Sequence, residues 1–567
     1  MVGVPAKYGG CTTCRRRKKG CDKKTPFCSQ CVEAGLLCEG YTRTHSVWIN
    51  STDGAISQYA KPCSIEKTRR RKGRAPADPL TTTTTADPPT ITLHDSLARL
   101  AREDRYVDLY LAAFLPNGRL FTKQAAQISS AGWLRYYDEL CQSEKTLRLI
   151  TLAHGLSMLA TRDSDCQLKL KGLEAHRMAL WEMHVALQDP AKATGDGILA
   201  AVRLFRFYEI LYGAESKGPQ QEQNPTHQVN GYYAHTDGEM ALFMNRGPSR
   251  KWSEAGMYLL VSGRIVSFIL GVGRRKRSPF SNSEWMTAPW KHTQKSPLDR
   301  LTDILVQIPG LLEMLDTIRT VAPDADRRTG AWIYLLKRCT SIEQMLLAWK
   351  TTMATELQTY DYTHYPETTP LPIPKVDRDF ALLHMSSLYW SCCILLYTTA
   401  HQAATEAEAD HPGLLALVAS RYPTASFSSP HSPNFHNECN PTLHAHRIIH
   451  AMPLSHGRYA GGYGALCSTF PLGMALRYLV VAHCFPHEPR RGDENQDEEG
   501  HSCRAFLCST LAQPFMRAYT ARFVGNLHMA DNNVSAGRDL GGIPGWKGVE
   551  ARMRTWWFGC AVGEGGI

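Results

Sequence analysis

The sequence predicts three parts: a short cysteine-rich module, a disordered basic linker, and a large all-α multi-helix domain. Six of the 18 cysteines fall within residues 11–38. Residues 46–92 are rich in basic residues, threonine and proline, a composition that buries little apolar surface. From residue 93 onward, apolar residues recur at helical spacing. We therefore place the parts at residues 1–45, 46–92 and 93–567.

The cysteines of the first part form two near copies of one pattern, a C-x2-C pair followed after six residues by a third cysteine. A C-x2-C pair brings two thiolates to one ion, and zinc prefers closed sulfur tetrahedra in structural sites. Three cysteines per ion leave one ligand missing, so two bridging thiolates would let six sulfurs hold two Zn²⁺ ions. The predicted fold is thus a small zinc-stabilised binuclear cluster module. Its predicted ligands are Cys11, Cys14, Cys21, Cys28, Cys31 and Cys38.

The alternative interpretation is a set of free or disulfide-bonded cysteines, as in small secreted modules. The N-terminus MVGVPAKYGG has no apolar segment of the kind that signal peptides carry. We therefore expect a reducing compartment, in which the thiols are available to bind metal.

The net charge of +11 is confined to the N-terminal region. Residues 1–75 contain 16 basic and 5 acidic residues, whereas residues 76–567 contain 48 of each. A basic arm on a neutral body is typical of a protein that binds a polyanion. Within the linker, the block KTRRRKGR at 67–74 predicts a nuclear localisation signal or a second DNA clamp, with a solvated patch as the alternative.

Five consecutive basic residues lie between the second and third cysteines. On a short helix held at both ends by zinc, they would form a rigid probe for the major groove, where arginine and lysine meet the acceptors of guanine. The alternative is a phosphate-binding or nuclear-import patch without sequence readout. Two lysines in the second half are predicted phosphate contacts. The predicted DNA-binding residues are Arg15, Arg16, Arg17, Lys18, Lys19, Lys23 and Lys24.

Residues CTTCRRRKKGCD, TPFCSQC and LLC resemble the fungal Zn2Cys6 binuclear zinc-cluster transcription factors. The match covers all six cysteines, and also Arg15, Arg17, Lys18, Asp22 and Pro26. The resemblance implies that the two bridging ligands are Cys11 and Cys28. It implies that Cys14 and Cys21 complete one ion, and Cys31 and Cys38 the other.

The same resemblance implies that Lys18, with Arg17 beside it, reads a CGG-type triplet while Arg15, Arg16 and Lys19 mostly hold phosphates. One position departs from the family pattern. The family usually has a lysine directly before the third cysteine, where this chain has Gly20. One phosphate or base contact is therefore not carried over, although the metal site is unaffected.

The sequence of the third part predicts many helices, because apolar and polar residues rarely alternate there as they do in strands. Asp95 is the predicted N-cap of the first helix, which follows it through residue 114. Predicted breaks are 217–226, 363–374, 426–441 and the acidic loop 486–500. Residues 381–399 lack charged side chains and approach membrane-spanning length, but their polar content favours a buried core helix. The further predicted helices are 145–160, 165–188, 197–212, 252–270, 301–320, 332–351, 377–404, 442–450 and 470–483.

Residues 95–480, approximately, resemble the helical regulatory domain that follows the zinc cluster in many of these factors. This resemblance is carried by LKGLEAHRMALWEMHVALQDP from Leu170, by Tyr208-Glu209, and by HTDGEMAL from His235 followed by Arg246-Gly-Pro. We expect a structural role for this last motif, with Arg246 paired to a buried carboxylate or carbonyl.

No catalytic motif of the hydrolase, Walker or H-E-x-x-H type occurs, and we expect no enzyme. Gly461, Gly462 and Gly464 lack the strand context of a dinucleotide site. Three histidines at helical spacing, His444, His446 and His450, are interpreted as satisfied or solvent-facing rather than metal ligands. The basic run 274–277 is interpreted as a solvated face.

The sequence therefore predicts a nuclear, sequence-specific regulator of RNA polymerase II genes, bound to double-stranded DNA. Co-regulators or the transcription machinery would bind the helical part, and no membrane association is expected. No sustained heptad follows the cysteines, so the sequence leaves a homodimer open. Control of a biosynthetic gene cluster is a further expectation. The alternative is a zinc-binding interaction scaffold with weak, non-specific DNA binding.

Overall fold

The computed structural model describes residues 11, 13–14, 17–22, 28–34, 36, 95–213, 225–321, 325–362, 372–421, 439–457 and 459–484 of the chain. Its contacts divide into two units, Met1–Thr90 and Ile91–Ile567. We call the second unit the helical body. The predicted linker at 46–92 and the predicted acidic loop at 486–500 lie outside the described residues.

The described residues form helices joined by turns, without a strand among them. The first unit contains α1 (Ser29–Glu33). The helical body contains α2 (Asp95–Phe114), α3 (Lys123–Ala126), α4 (Tyr137–Ser143), α5 (Lys145–Asp163), α6 (Cys166–Leu187), α7 (Pro190–Ala193), α8 (Asp196–Tyr212), α9 (Pro225–Arg246), α10 (Glu254–Arg274), α11 (Ser283–Thr287), α12 (Pro297–Leu305), α13 (Ile308–Val321), α14 (Ala325–Thr352), α15 (Ala354–Gln358), α16 (Asp377–Asp410), α17 (Leu414–Arg421), α18 (Pro441–Ser455) and α19 (Gly461–Cys484).

Side-chain hydrogen bonds cap the first turns of several of these helices. The Asp165 carboxylate accepts hydrogen bonds from the backbone N–H groups of Gln167 and Leu168 and so begins α6. Ser296 and Asp299 form a reciprocal capping box at the start of α12. The first long helix already includes Asp95, so this residue is the first helical residue and not the predicted N-cap.

Several predicted boundaries differ from the structure by four residues or more, among them the start of the predicted helix 470–483, which begins at Gly461. In two further cases proline is the reason for the difference. Residues 225 and 226 belong to α9, because Pro225 occupies the first turn of a helix, where its missing N–H costs nothing. The predicted helix 301–320 is two helices, because Pro309 stands in the first turn of α13 and cannot continue the hydrogen-bond ladder of α12.

The core of the body is one continuous cluster of buried apolar side chains. Helix α16 lies within it, and 89% of its most apolar window is buried. Helix α10 also has the length and composition to cross a membrane, and 78% of its window is buried. Burial to this extent within the body is typical of the core helices of folded domains.

The glycine cluster near residue 461 serves close packing of helices. Gly461 has a φ of 61°, and a Cβ there would lie 2.6 Å from the carbonyl oxygen of Phe114. A Cβ on Gly464 would lie 2.2 Å from the carbonyl oxygen of Ser455. The cluster therefore lets α19 approach the end of α2 and the end of α18 at backbone distance.

Candidate metal centre and nucleic-acid interface

Four of the distances between cysteine sulfurs in the first unit are nearly equal. The Cys11 Sγ is 3.6 Å from that of Cys28 and 3.7 Å from that of Cys31. The Cys14 Sγ is 3.5 Å from that of Cys28 and 3.7 Å from that of Cys31. Sulfurs bound to one zinc ion at about 2.3 Å would be separated by roughly 3.8 Å along the edges of a tetrahedron. Three of the four distances, all except that between Cys14 and Cys31, join sulfurs that share an ion in the implied ligand set, and they fit this edge length.

Cys21 completes a set of four that matches the ligands implied for the first ion. The ligand atoms of Cys11, Cys14, Cys21 and Cys28 all lie within 4.8 Å of one another. Among the residues that the structure describes, this is the group that could hold a metal ion. Cys38, the sixth predicted ligand, lies outside the described residues.

The buried sulfurs need a bound cation if they are to be ionised. Burial raises the pKa of the Cys28 thiol well above its ordinary value, and hydrogen bonding with Cys31 raises it further. Backbone N–H groups reach two of the sulfurs, from Cys14 to Cys11 Sγ at 3.3 Å and from Cys11 to Cys21 Sγ at 3.4 Å. Such donors orient thiolate ligands, while a bound divalent ion supplies the charge that makes buried thiolates stable. The donor set therefore fits zinc.

An aspartate joins the two halves of the module. Its carboxylate accepts the backbone N–H of Ser29, at 3.1 Å to Asp22 Oδ1 and 3.2 Å to Oδ2. Ser29 is the first residue of α1, so an anion lies at the positive end of this helix. This contact gives Asp22, which the sequence picked out only by resemblance, a physical role in orienting the helix that carries Cys31.

The basic segment between Cys14 and Cys21 is not helical throughout. Lys18 has a left-handed backbone with a φ of 54°, and the N–H of Lys19 bonds to the carbonyl of Cys14 at 3.0 Å. This bond pattern ends a helix in the manner of a Schellman motif. The prediction of one helix carrying all five basic residues is therefore wrong at its end, because the chain must turn there to return Cys21 to the cluster.

The same turn determines which basic side chains are exposed. Arg17, Lys18, Lys19 and Gly20 are all exposed, directly beside the buried cysteines. The basic side chains of this segment therefore point into solvent, while the buried cysteines fix its backbone. The remaining predicted DNA-binding residues, Arg15, Arg16, Lys23 and Lys24, lie outside the described residues.

Arg246 in the helical body pairs with a carboxylate, one of the two kinds of partner that the sequence predicts. Its guanidinium forms an ion pair with Asp196 and lies 3.9 Å from the ring centroid of Trp252. Ser253, the N-cap of α10, also donates to Asp196. These contacts tie the end of α9 to the starts of α8 and α10, which is a structural role.

A buried charge cluster, which the sequence did not reveal, lies in the same region. Glu239 is fully buried and pairs with two buried arginines of α8. Its Oε1 accepts from Arg203 Nε at 3.0 Å, and its Oε2 accepts from Arg206 Nη1 at 2.7 Å. Arg203 also donates to the Leu259 carbonyl at 3.0 Å. The signal was present as two arginines three residues apart on an apolar helix, but their partner lies on the helix that the sequence mostly missed.

The basic run at 274–277 is divided among separate acidic partners. Arg274 forms two hydrogen bonds to Asp237, at 2.7 and 2.9 Å, and Arg275 forms two to Asp316, both at 2.7 Å. Lys276 pairs with Glu313 at 3.3 Å. Because each basic side chain is neutralised by a nearby carboxylate, this surface should attract a polyanion only weakly.

The three histidines near residue 446 include one that is part of the core. His444 is fully buried, and its ring packs at 6.1 Å from Tyr389 and 6.4 Å from Tyr397 between ring centroids. Packing against these two tyrosine rings thus explains why His444 is buried.

Comparison with known proteins identifies the N-terminal module. The family model of the fungal Zn(2)-Cys(6) binuclear cluster domain matches residues 9–46. An uncharacterized transcriptional regulatory protein of Schizosaccharomyces pombe is 48% identical over 33 residues, which are 6% of this chain and 6% of that protein. No solved structure gives a significant match. A domain of this type binds two zinc ions. Residues 9–46 are therefore similar to the fungal Zn(2)-Cys(6) binuclear cluster domain, and the cysteines that the structure brings together lie within this range.

Proposed function

We propose that this chain is a sequence-specific, DNA-binding transcription regulator. The observation that carries the proposal is the exposed basic turn at Arg17, Lys18 and Lys19, anchored on a buried sulfur cluster that fits zinc. The confinement of the net charge of +11 to residues 1–75 supports binding to a polyanion. The similarity to a protein described as a transcriptional regulator supports the role in transcription.

In the proposed mode of binding, the metal-anchored turn enters the major groove at a CGG-like half-site. Lys18 and Arg17 donate to the O6 and N7 acceptors of guanine, because these donors and acceptors match in the groove. Arg15, Arg16, Lys19, Lys23 and Lys24 bind phosphates and set the register.

We propose that Cys11 and Cys28 bridge the two ions. Cys14 and Cys21 then complete one ion, and Cys31 and Cys38 complete the other. Zinc supplies the fold of the module when bound, since a segment of this size cannot form a sufficient hydrophobic core. The cysteines hold the basic turn in one orientation, and Asp22 holds the start of α1.

We propose that the helical body regulates this activity in the nucleus and binds the transcription machinery or co-regulators. Control of a biosynthetic gene cluster is part of the proposal. The alternative function is an interaction scaffold: it has the same zinc module, binds DNA weakly and without sequence preference, and contacts its partners through the helical body.

The test compares two lysine substitutions on the zinc-loaded chain, with fluorescence anisotropy on CGG-bearing and scrambled duplexes. We expect Lys18→Ala to cost about 1–3 kcal/mol on CGG duplexes and to relax the sequence preference. We expect Lys19→Ala to weaken both duplexes alike and to reduce the salt slope by about 0.9. Equal effects of Lys18→Ala on both duplexes would reject base reading by this residue and favour the scaffold.

The ligand assignment has its own test, which is the zinc content of purified variants. Cys28→Ala should lose both ions and unfold the module, because a bridging ligand is removed from both. A Cys28→Ala protein that retains two zinc ions would show the bridging assignment to be wrong.

A further inference from the structure

Helix α6 (Cys166–Leu187) has two opposite apolar faces, and only one of them is covered. The covered face packs on α5 and consists of small and apolar residues. The uncovered face contains large side chains whose exposed fractions are 60% for Leu170, 47% for Met178, 51% for Trp181 and 44% for Val185. At 100° per residue these four lie within an arc of about 80°, on the side away from the covered face. The residues of the covered face are Gly172, Ala175, Ala179, Met183 and Ala186.

The size of this uncovered face exceeds what isolated surface residues need. The four side chains expose roughly 400 Å² of apolar surface, which is comparable to the largest patch on a typical monomer. We call these four residues the α6 face. Glu174 is exposed within the same arc, so the four apolar side chains surround one carboxylate. Patches of this size on monomers often mark interaction sites.

On one flank of the α6 face, the charges repeat in an order that suits a second copy of the same helix. Lys171 and Glu182 lie on the same flank, about 20° apart around the helix and three turns apart along it. Their midpoint, between residues 176 and 177, nearly coincides with the midpoint of Leu170 and Val185. When two identical helices pair antiparallel, residues of the same flank meet. Each lysine would therefore face the glutamate of the other copy.

We propose that the α6 face is a homodimer interface, in which α6 of two copies pairs antiparallel about a two-fold axis near Arg177 and Met178. Leu170 of one copy then packs against Val185 of the other, and Trp181 packs near Glu174 of the other. Lys171 binds Glu182 of the second copy at both ends. Glu182 already accepts from Lys145 at 2.7 Å, and its carboxylate has acceptor capacity for a second cation.

The area of this contact predicts a weak dimer. A helix of 22 residues is about 33 Å long, and packing along its whole length would bury on the order of 1,000 Å² in total. That is the lower end of specific interfaces, so we expect association in the micromolar range. Dimerisation through the helical body goes beyond the proposed DNA binding and does not depend on it.

The experiment measures the mass of the full-length, zinc-loaded chain without DNA, by sedimentation from submicromolar to roughly 100 µM concentration. We expect a monomer–dimer equilibrium that Trp181→Glu shifts at least tenfold toward monomer. The matched control is Tyr334→Glu on α14, since Tyr334 is similarly exposed at 57% but lies outside the α6 face. The control should dimerise like the parent chain. Circular dichroism checks that Trp181→Glu retains its helical content.

A charge exchange on the flank tests the antiparallel arrangement without altering apolar residues. Lys171→Glu and Glu182→Lys should each weaken the dimer, and the double variant should recover most of the loss. Three results overturn the proposal: a chain that stays monomeric at all concentrations, a dimer that Trp181→Glu leaves intact, or a double variant that is weaker than both single ones. The first of these would indicate that another partner, or a segment of this chain outside the described residues, covers the face.

Discussion

Replacement of Gly20 by lysine should strengthen DNA binding, and the structure indicates why the substitution is tolerated. Gly20 is exposed, and a Cβ at this position meets no atom within 4 Å. Its backbone is not among the left-handed residues of the described chain, so a side chain causes no strain there. Gly20→Lys therefore adds one cation next to the basic turn without disturbing the sulfur cluster.

The magnitude follows from counterion release. One additional phosphate contact steepens the dependence of log affinity on log salt by about 0.9. The advantage of Gly20→Lys over the parent chain should therefore be about 3.5-fold larger at 50 mM salt than at 200 mM. Because phosphates carry no sequence information, CGG-bearing and scrambled duplexes should gain equally.

The assay is fluorescence anisotropy over this salt range, with Gly20→Gln as the control. Glutamine also replaces the flexible glycine with a long side chain, but adds no charge. A common salt slope for both variants would refute the reasoning, because it would mean that residue 20 does not face the DNA backbone. A gain confined to CGG duplexes would instead assign residue 20 to base contact.

Three further predictions concern the helical body. Glu239→Gln should lower the free energy of unfolding by about 3–5 kcal/mol, since two buried guanidinium groups lose their counter-charge. Gly155→Ala should cost about 1–3 kcal/mol, because the new methyl group would lie 2.3 Å from the Tyr106 carbonyl oxygen and push α2 from α5. Burial lowers the pKa of His154 to about 4, below its ordinary 6.5. The unfolded chain then binds more protons between these values, so stability should fall as pH drops from about 6.5 toward 4, by up to about 1.4 kcal/mol per pH unit for this residue.

Urea unfolding monitored by circular dichroism measures all three effects. Asp237→Asn is the control for Glu239→Gln, because Asp237 is half-exposed in its pair with Arg274 and should change stability by less than about 1 kcal/mol. Similar losses in these two variants would contradict the argument from burial. His154→Leu should flatten the acid slope, and an unchanged slope would show that His154 does not cause it. A Gly155→Ala protein as stable as the parent would show that the two helices can separate freely.

Local chemistry accounts for what the sequence predicted well. The cysteine spacing predicted the metal site, and the described sulfurs lie at zinc-binding distances. The predicted helix 165–188 begins one residue before α6, where the Asp165 carboxylate caps the first turn of the helix. For Arg246 the sequence predicted a carboxylate or carbonyl partner, because a buried guanidinium needs an acceptor, and the structure pairs it with Asp196. Each of these depends on residue type and short spacing alone.

The features that the sequence did not reveal depend on groups distant along the chain. Glu239 is 36 residues from Arg203, on a helix whose start was interpreted as a loop, and no short-range pattern joins them. The left-handed Lys18 is similar in kind. A lysine has no preference for that conformation, and it is adopted because the chain must turn to bring Cys21 back to the other sulfurs.

The sequence alone therefore determined the metal-binding chemistry, the location of the positive charge and the helical character of the described part of the body. Cysteine spacing, charge and apolar periodicity are local properties that survive without knowledge of the fold. Tertiary structure decided the end of the basic helix, the buried Arg203–Glu239–Arg206 cluster and the uncovered α6 face. These depend on which surfaces meet, because a side chain becomes a buried ion or an open face only through what the rest of the chain packs against it.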